Sequence, residues 1–86
     1  EGRQMIKVLY FSWVRERIGQ PQETLETRAE NVTALVEELR RKDPRYAMAF
    51  SDINALRVAV DQVLVDFDAP INGAKEVAFF PPMTGG

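Results

Sequence analysis

Only one stretch of this chain can form a helix long enough to cover a sheet. Between Val32 and Lys42, the apolar residues Val32, Leu35, Val36 and Leu39 recur at i, i+3, i+4 and i+7, which puts them on one stripe of an α-helix. Asn31 is placed to cap its start. Arg40, Arg41 and Lys42 fall in its last turn, where cations complement the helix dipole. Glu37 and Glu38 are expected to face water. An apolar stripe must lie on something, and the rest of the chain reads mostly as strands.

Two of those strands are dense in apolar residues. Met5 to Phe11 leaves only Lys7 polar, so this first strand is expected in the sheet centre, covered on both faces. Glu76 to Phe80 carries Val77-Ala78-Phe79-Phe80 and is expected beside it, in parallel. Gln22 to Arg28 alternates and reads as an exposed edge antiparallel to the first strand, its charges discouraging edge pairing. Leu56–Val60 and Val63–Asp66 read as a hairpin over Asp61-Gln62, although the tight turn there usually takes Gly. Asn72-Gly73 marks a further turn.

Short helices fill the gaps. Ser12 is expected to cap one over Trp13 to Ile18, with Gly19 as its stop. Trp13 reads as core or rim packing rather than a functional aromatic. Asp43-Pro44 ends the main helix and starts another, whose contacts would come from Tyr46, Met48, Ala49 and Phe50. Arg40, Arg41 and Lys42 with Arg45 read as a solvated helix end rather than a phosphate patch. The architecture predicted is α+β: a mixed sheet of four or five strands on one main helix plus short helices, with Leu35 and Phe79 buried. The 86 residues suggest one domain. Residues 1–4 read as an N-terminal extension or cloning remnant, 5–80 as the domain and 81–86 as a tail.

That tail, Pro81-Pro82-Met83-Thr84-Gly85-Gly86, follows the last strand directly. Proline lacks an N–H and fixes φ, so the pair cannot continue a ladder and holds the exit extended. Gly85 and Gly86 lack Cβ atoms and keep the tip thin. Six residues reach at most about 20 Å. An ordinary frayed terminus is the plain alternative; the other reading is a probe whose reactive group is the Gly86 carboxylate.

Composition narrows the chemistry. The chain has no Cys and no His, so thiol and triad chemistry and the usual general base would have to come from elsewhere. A net charge of −2 argues against generic nucleic-acid binding. No apolar run approaches membrane-spanning length and no signal peptide is visible, so a cytoplasmic location is expected, with neither membrane nor nucleic acid as partner.

Ile6-Lys7-Val8-Leu9-Tyr10-Phe11 at the start, and Glu76-Val77-Ala78-Phe79-Phe80-Pro81-Pro82-Met83-Thr84-Gly85-Gly86 at the end, resemble the family of molybdopterin synthase small subunits. The likeness runs from Met5 to Gly86. It departs from the family at Asp61-Gln62, where Asn-Gly-type residues are common, and at Asn72-Gly73-Ala74-Lys75, where Asp-Gly-Asp is frequent. The resemblance implies a ubiquitin-like β-grasp fold and a sulfur carrier. It implies that the Gly86 carboxylate is adenylated from ATP by an E1-like adenylyltransferase and converted to a thiocarboxylate. It further implies that the tail enters the large synthase subunit and gives sulfur to cyclic pyranopterin monophosphate. No permanently bound cofactor is implied, only the transient acyl-adenylate and thiocarboxylate, with catalytic residues on the partners. Phe80, Pro82 and Met83 are expected to touch the large subunit, though Phe80 could equally be core. Carriage of sulfur for thiamine or tRNA thiolation, and ubiquitin-like modification of lysines, remain open alternatives.

Overall fold

The computed structural model of the chain describes residues 3–82. Five strands make one mixed sheet: β1 (Gln4–Tyr10), β2 (Gln22–Thr27), β3 (Arg57–Val60), β4 (Val63–Val65) and β5 (Glu76–Phe80). Their order is β2-β1-β5-β3-β4. β5 is central, parallel to β1 and antiparallel to β3, and β2 is the antiparallel edge. Three helices complete the fold: α1 (Ser12–Ile18), α2 (Val32–Lys42) and α3 (Pro44–Ala49).

α2 forms as its periodicity predicts. The Asn31 carboxamide oxygen accepts the Ala34 N–H at 2.8 Å. Val32, Leu35, Val36 and Leu39 are all buried. They meet Ile6, Val8 and Tyr10 of β1, Val58 of β3, and Val77 and Phe79 of β5 in one core. Burial of each such aliphatic side chain stabilises the fold by about 1.5–3 kcal/mol. The loop after β4 crosses the start of α2, where Ala69 and Phe67 carbonyls accept the Val32 and Thr33 N–H groups at 3.1 and 2.9 Å. That satisfies two of the donors a helix start leaves open. Leu35 and Phe79 are fully buried, as expected.

The turns carry long-range ties. Asp61 and Gln62 both have positive φ, 49° and 73°, the geometry of a two-residue hairpin. The Asp61 carboxylate accepts the Lys75 and Glu76 N–H groups at 2.9 and 3.0 Å, so it fastens the hairpin to the start of β5. Gln4 lies inside β1, one residue before the expected start. Its side chain donates to the Ile71 carbonyl at 2.8 Å and accepts the Gly73 N–H at 2.9 Å.

Four expectations need correction. β1 is covered on one face only: Met5 is 62% exposed, Lys7 is exposed and Leu9 half-buried. All three helices lie on the other face, and a short chain has no second layer to spend here. Ser12 does not cap α1; it opens the helix at φ 58°, and Phe11 at the cap position makes no side-chain bond. The Phe11 carbonyl instead accepts the Val14 and Arg15 N–H groups. Gly19 does stop α1, at φ 94°. Met48 is 67% exposed, because it sits two residues from buried Tyr46 and residues so spaced do not share a helix face. Glu37 and Glu38 are half-buried rather than facing water: Glu37 pairs with Arg40 at 2.7 Å and Glu38 accepts the Thr27 hydroxyl at 2.6 Å. The cations that follow keep to the expected solvated helix end: Arg41, Lys42 and Arg45 are exposed. Lys42 pairs with Glu23 at 3.1 Å, while Arg45 pairs with Asp43 and donates to the Ile18 carbonyl.

Candidate functional site

The parallel β1–β5 pair ends both strands at the same pole, and that pole is where the tail leaves. Register pairs Tyr10 with Phe79, and the Phe11 N–H donates to the Phe79 carbonyl at 3.1 Å. Phe79 points inward. Its ring is stacked on Tyr10 at 6.4 Å and meets the Phe50 ring edge-on at 4.9 Å. The chain is therefore held rigidly one residue before Phe80. Strand alternation turns Phe80 to the outer face, where it is half-buried, and Pro81 and Pro82 follow, also half-buried. Met83, Thr84, Gly85 and Gly86 lie outside the described residues.

The outer face around this root is largely apolar, with the exposed Arg57 in register beside Phe80. Leu64, Ala59, Ala78 and Leu9 stand in register across four strands, and Leu64 is 66% exposed. Phe11, by the same alternation, stands beside Phe80 and is exposed. Among the described residues no helix covers this side. Of the residues named from the sequence, Phe80, Pro81 and Pro82 stand half-buried at the root; Phe11 and Leu64 were not named as surface. The signal was available: one long amphipathic helix can cover one sheet face, so strands apolar on both faces must leave the second open.

Behind the root lies a polar knot. The Glu23 carboxylate on β2 accepts the Tyr10 hydroxyl at 2.7 Å, the Tyr46 hydroxyl at 2.6 Å and the Lys42 ammonium at 3.1 Å. Gln20 donates to the Tyr46 hydroxyl at 3.1 Å. Burial pushes the Glu23 carboxyl up, but hydrogen bonds from Tyr46, Tyr10 and Lys42 outweigh it and leave the group below its ordinary range. Burial, then the bond to Glu23, raises the Tyr10 hydroxyl well above the ordinary tyrosine range. The knot thus fixes Tyr10, which packs on Phe79, which sets the direction of Phe80.

The chain holds no Cys or His, so any thiol nucleophile or imidazole base would have to come from another molecule. Among the described residues no group of acidic side chains could hold a metal ion, and no helix is long and apolar enough to cross a membrane. What the arrangement can do is present a narrow segment from a rigid root beside an apolar platform.

The ThiS family pattern matches residues 8–86. The chain is 44% identical over 82 residues to the molybdopterin synthase sulfur carrier subunit of Escherichia coli, an alignment spanning 95% of this chain and 100% of that protein. Its fold is similar to SAMP1 from Haloferax volcanii, with a TM-score of 0.76 at 16% identity over 96% of this chain and 100% of that one. It is also similar to a chain in the complex of subunits 1 and 2 of molybdopterin-converting factor from Helicobacter pylori, with a TM-score of 0.60 at 21% identity over 96% of this chain and 100% of that one. The five-stranded sheet with its helices on one face is the ubiquitin-like β-grasp.

Proposed function

The chain belongs to the ThiS family, and from that premise we propose that it is the sulfur-carrier subunit of molybdopterin synthase, acting in molybdenum cofactor biosynthesis. The observation that carries this reading is the 44% identity to the Escherichia coli carrier subunit along that protein's whole length. The geometry supports it: a stiff, narrow segment leaves the central strand at a root locked by Phe79, next to an apolar face fit for a large partner.

The chemistry then runs through the Gly86 carboxylate. A carboxylate is a poor acyl donor because oxide is a poor leaving group. Attack of its oxygen on the α-phosphorus of ATP expels pyrophosphate and makes a mixed anhydride. A sulfur nucleophile displaces AMP from the acyl carbon and leaves a thiocarboxylate. The adenylation is assigned to an E1-like adenylyltransferase. The thiocarboxylate gives its sulfur to cyclic pyranopterin monophosphate inside the large subunit. The dithiolene needs two sulfurs, hence two carriers per product. This chain supplies the reacting Gly86 carboxylate but no thiol and no imidazole; catalysis of those steps is assigned to the partners, and positioning to this chain.

Docking is assigned to the tail root and the outer face. Phe80 and Pro82, with Met83 beyond them, would anchor the large subunit, and Phe11 and Leu64 extend the same platform. The test is intact-mass measurement after incubation with the adenylyltransferase, ATP and a sulfur source, followed by an assay for molybdopterin with the large subunit. The expected result is an oxygen-for-sulfur mass gain confined to Gly86, and product formation that depends on it. A thiocarboxylated protein that supports thiazole or tRNA thiolation but yields no molybdopterin would overturn the assignment.

A further inference from the structure

A second surface lies on the helical layer. Between α1 and α3, Arg17, Arg45, Ala47, Met48 and Ser51 line an open groove of about 530 Å³. Its floor is apolar, and Met48 stands 67% exposed in it. An unbranched, polarisable thioether suits a surface that adapts to an apolar ligand. Two guanidiniums stand at its walls, and both are held in place. The Arg17 guanidinium lies 4.7 Å from the centre of the Trp13 ring. Arg45 donates to the Ile18 carbonyl at 3.1 Å and pairs with Asp43. Among the described residues no acidic side chain lines this groove, although the whole chain carries 13 acidic residues against 11 basic ones.

We propose that this groove docks a short acidic, apolar segment of a protein partner, one apolar side chain lying on Met48 and Ala47 and a carboxylate meeting Arg17, while Arg45 keeps its pairing with Asp43. Charge selects this occupant. A second copy seated on the same groove by two-fold symmetry would set the arginines of one against those of the other. Fixed guanidiniums lose less freedom on pairing with a carboxylate than mobile ones.

Trp13 is the only tryptophan and reports on Arg17 directly. The probe is a synthetic hexapeptide of alternating Leu and Asp, titrated into the full chain and followed by Trp13 fluorescence and by the amide resonances of Ala47, Met48 and Ser51. A saturable change that weakens as salt rises is expected. Met48→Asp and Arg17→Gln should each raise the dissociation constant roughly tenfold, the loss of one apolar anchor or one charge-assisted bond. Met48→Asp should leave thiocarboxylate formation and molybdopterin synthesis unchanged, which separates this site from the tail chemistry. The proposal is overturned by any of four results: no saturable change, equal binding by Met48→Asp, equal binding of the peptide with Lys in place of Asp, or the same resonance shifts from inorganic phosphate alone. Sedimentation showing a dimer that Met48→Asp dissolves would assign the groove to self-association and also overturn it.

Discussion

Glu23 gathers ties from three elements, and its protonation should be felt by the whole fold. Its folded-state pKa is lowered from the ordinary 4.5, so its contribution to stability is complete above that value and is lost as pH falls through the lower, folded one. Glu23→Gln keeps the shape but removes the charge on three hydrogen bonds, at a cost of about 1–3 kcal/mol near neutral pH. Denaturant melts at a series of pH values should show that gap shrinking as pH falls through the lowered pKa of the folded state, where the native carboxylate is itself protonated. A gap that stays constant down to low pH would mean the knot is held by packing alone. The alternation along Gln22–Thr27 puts Glu23 on the same side of its strand as Leu25 and Thr27, the less exposed side. It could not show the partners, because Tyr10, Lys42 and Tyr46 lie 13, 19 and 23 residues away. Leu35 was legible for the opposite reason: its burial follows from spacing within one helix. The outer-face residues separate fold from docking in the same way. Leu64 is 66% exposed, so Leu64→Asp should leave the melting temperature within a few degrees of wild type while weakening affinity for the large subunit roughly tenfold. Phe80→Ala should cost more, roughly 10–100-fold, if Phe80 is a central anchor. Calorimetric titration with both variants checks this, and unchanged affinity in both would move the interface off the outer face.

At the scale of elements, the β3–β4 hairpin shows how local and long-range demands compete. Both turn residues occupy the left-handed region, which costs a non-glycine residue roughly 1–2 kcal/mol. Asp61 is compensated there, since its carboxylate caps the Lys75 and Glu76 N–H groups. Gln62 shows no such tie among the described hydrogen bonds. Gln62→Gly should therefore relieve the strain, less the roughly 0.5–1 kcal/mol of extra chain entropy glycine loses. A net gain of about 0.5–1 kcal/mol is expected, read from the denaturant midpoint at unchanged slope. Asp61→Asn should go the other way, because it weakens the acceptor at the junction with β5. The hairpin itself was readable from two β-branched runs two residues apart. Why Asp belongs at the first turn position was not, because its partners lie 14 and 15 residues on. α1 makes the same point from the other side. Gly19 was readable as its stop, but the start was misassigned to Ser12, because a backbone carbonyl did the work the side chain was expected to do.

For the whole molecule, the division of labour follows from having one layer of helices for a sheet apolar on both faces. The inner face holds the core and the outer face is left for a partner. The central strand, fixed by Phe79, delivers the tail to the pole where both meet. The sequence made the sheet and its parallel centre readable, but it hid the open face, because an apolar run looks the same whether a helix or a partner covers it. The last core residue among those described is Phe79, so changes at the far end of the tail should spare folding. They should not spare function, if the Gly86 carbonyl carbon must reach a fixed point in two different partners. One residue added after Gly86 carries the reacting carbon about 3.5 Å past that point, where a misplacement of ~1 Å can already cost about 100-fold in rate. Removing Gly86 shortens the reach by the same step. A β-branched residue in place of Gly85 widens and stiffens the tip. All three variants are expected to melt with the wild type and to fail at adenylation, at sulfur transfer, or at both. Pyrophosphate release and molybdopterin formation, measured separately, tell the two failures apart. A variant carrying the extra residue, its mass confirmed intact when the assay ends, that still forms molybdopterin at near the wild-type rate would rule out the Gly86 carboxylate as the carrier of sulfur.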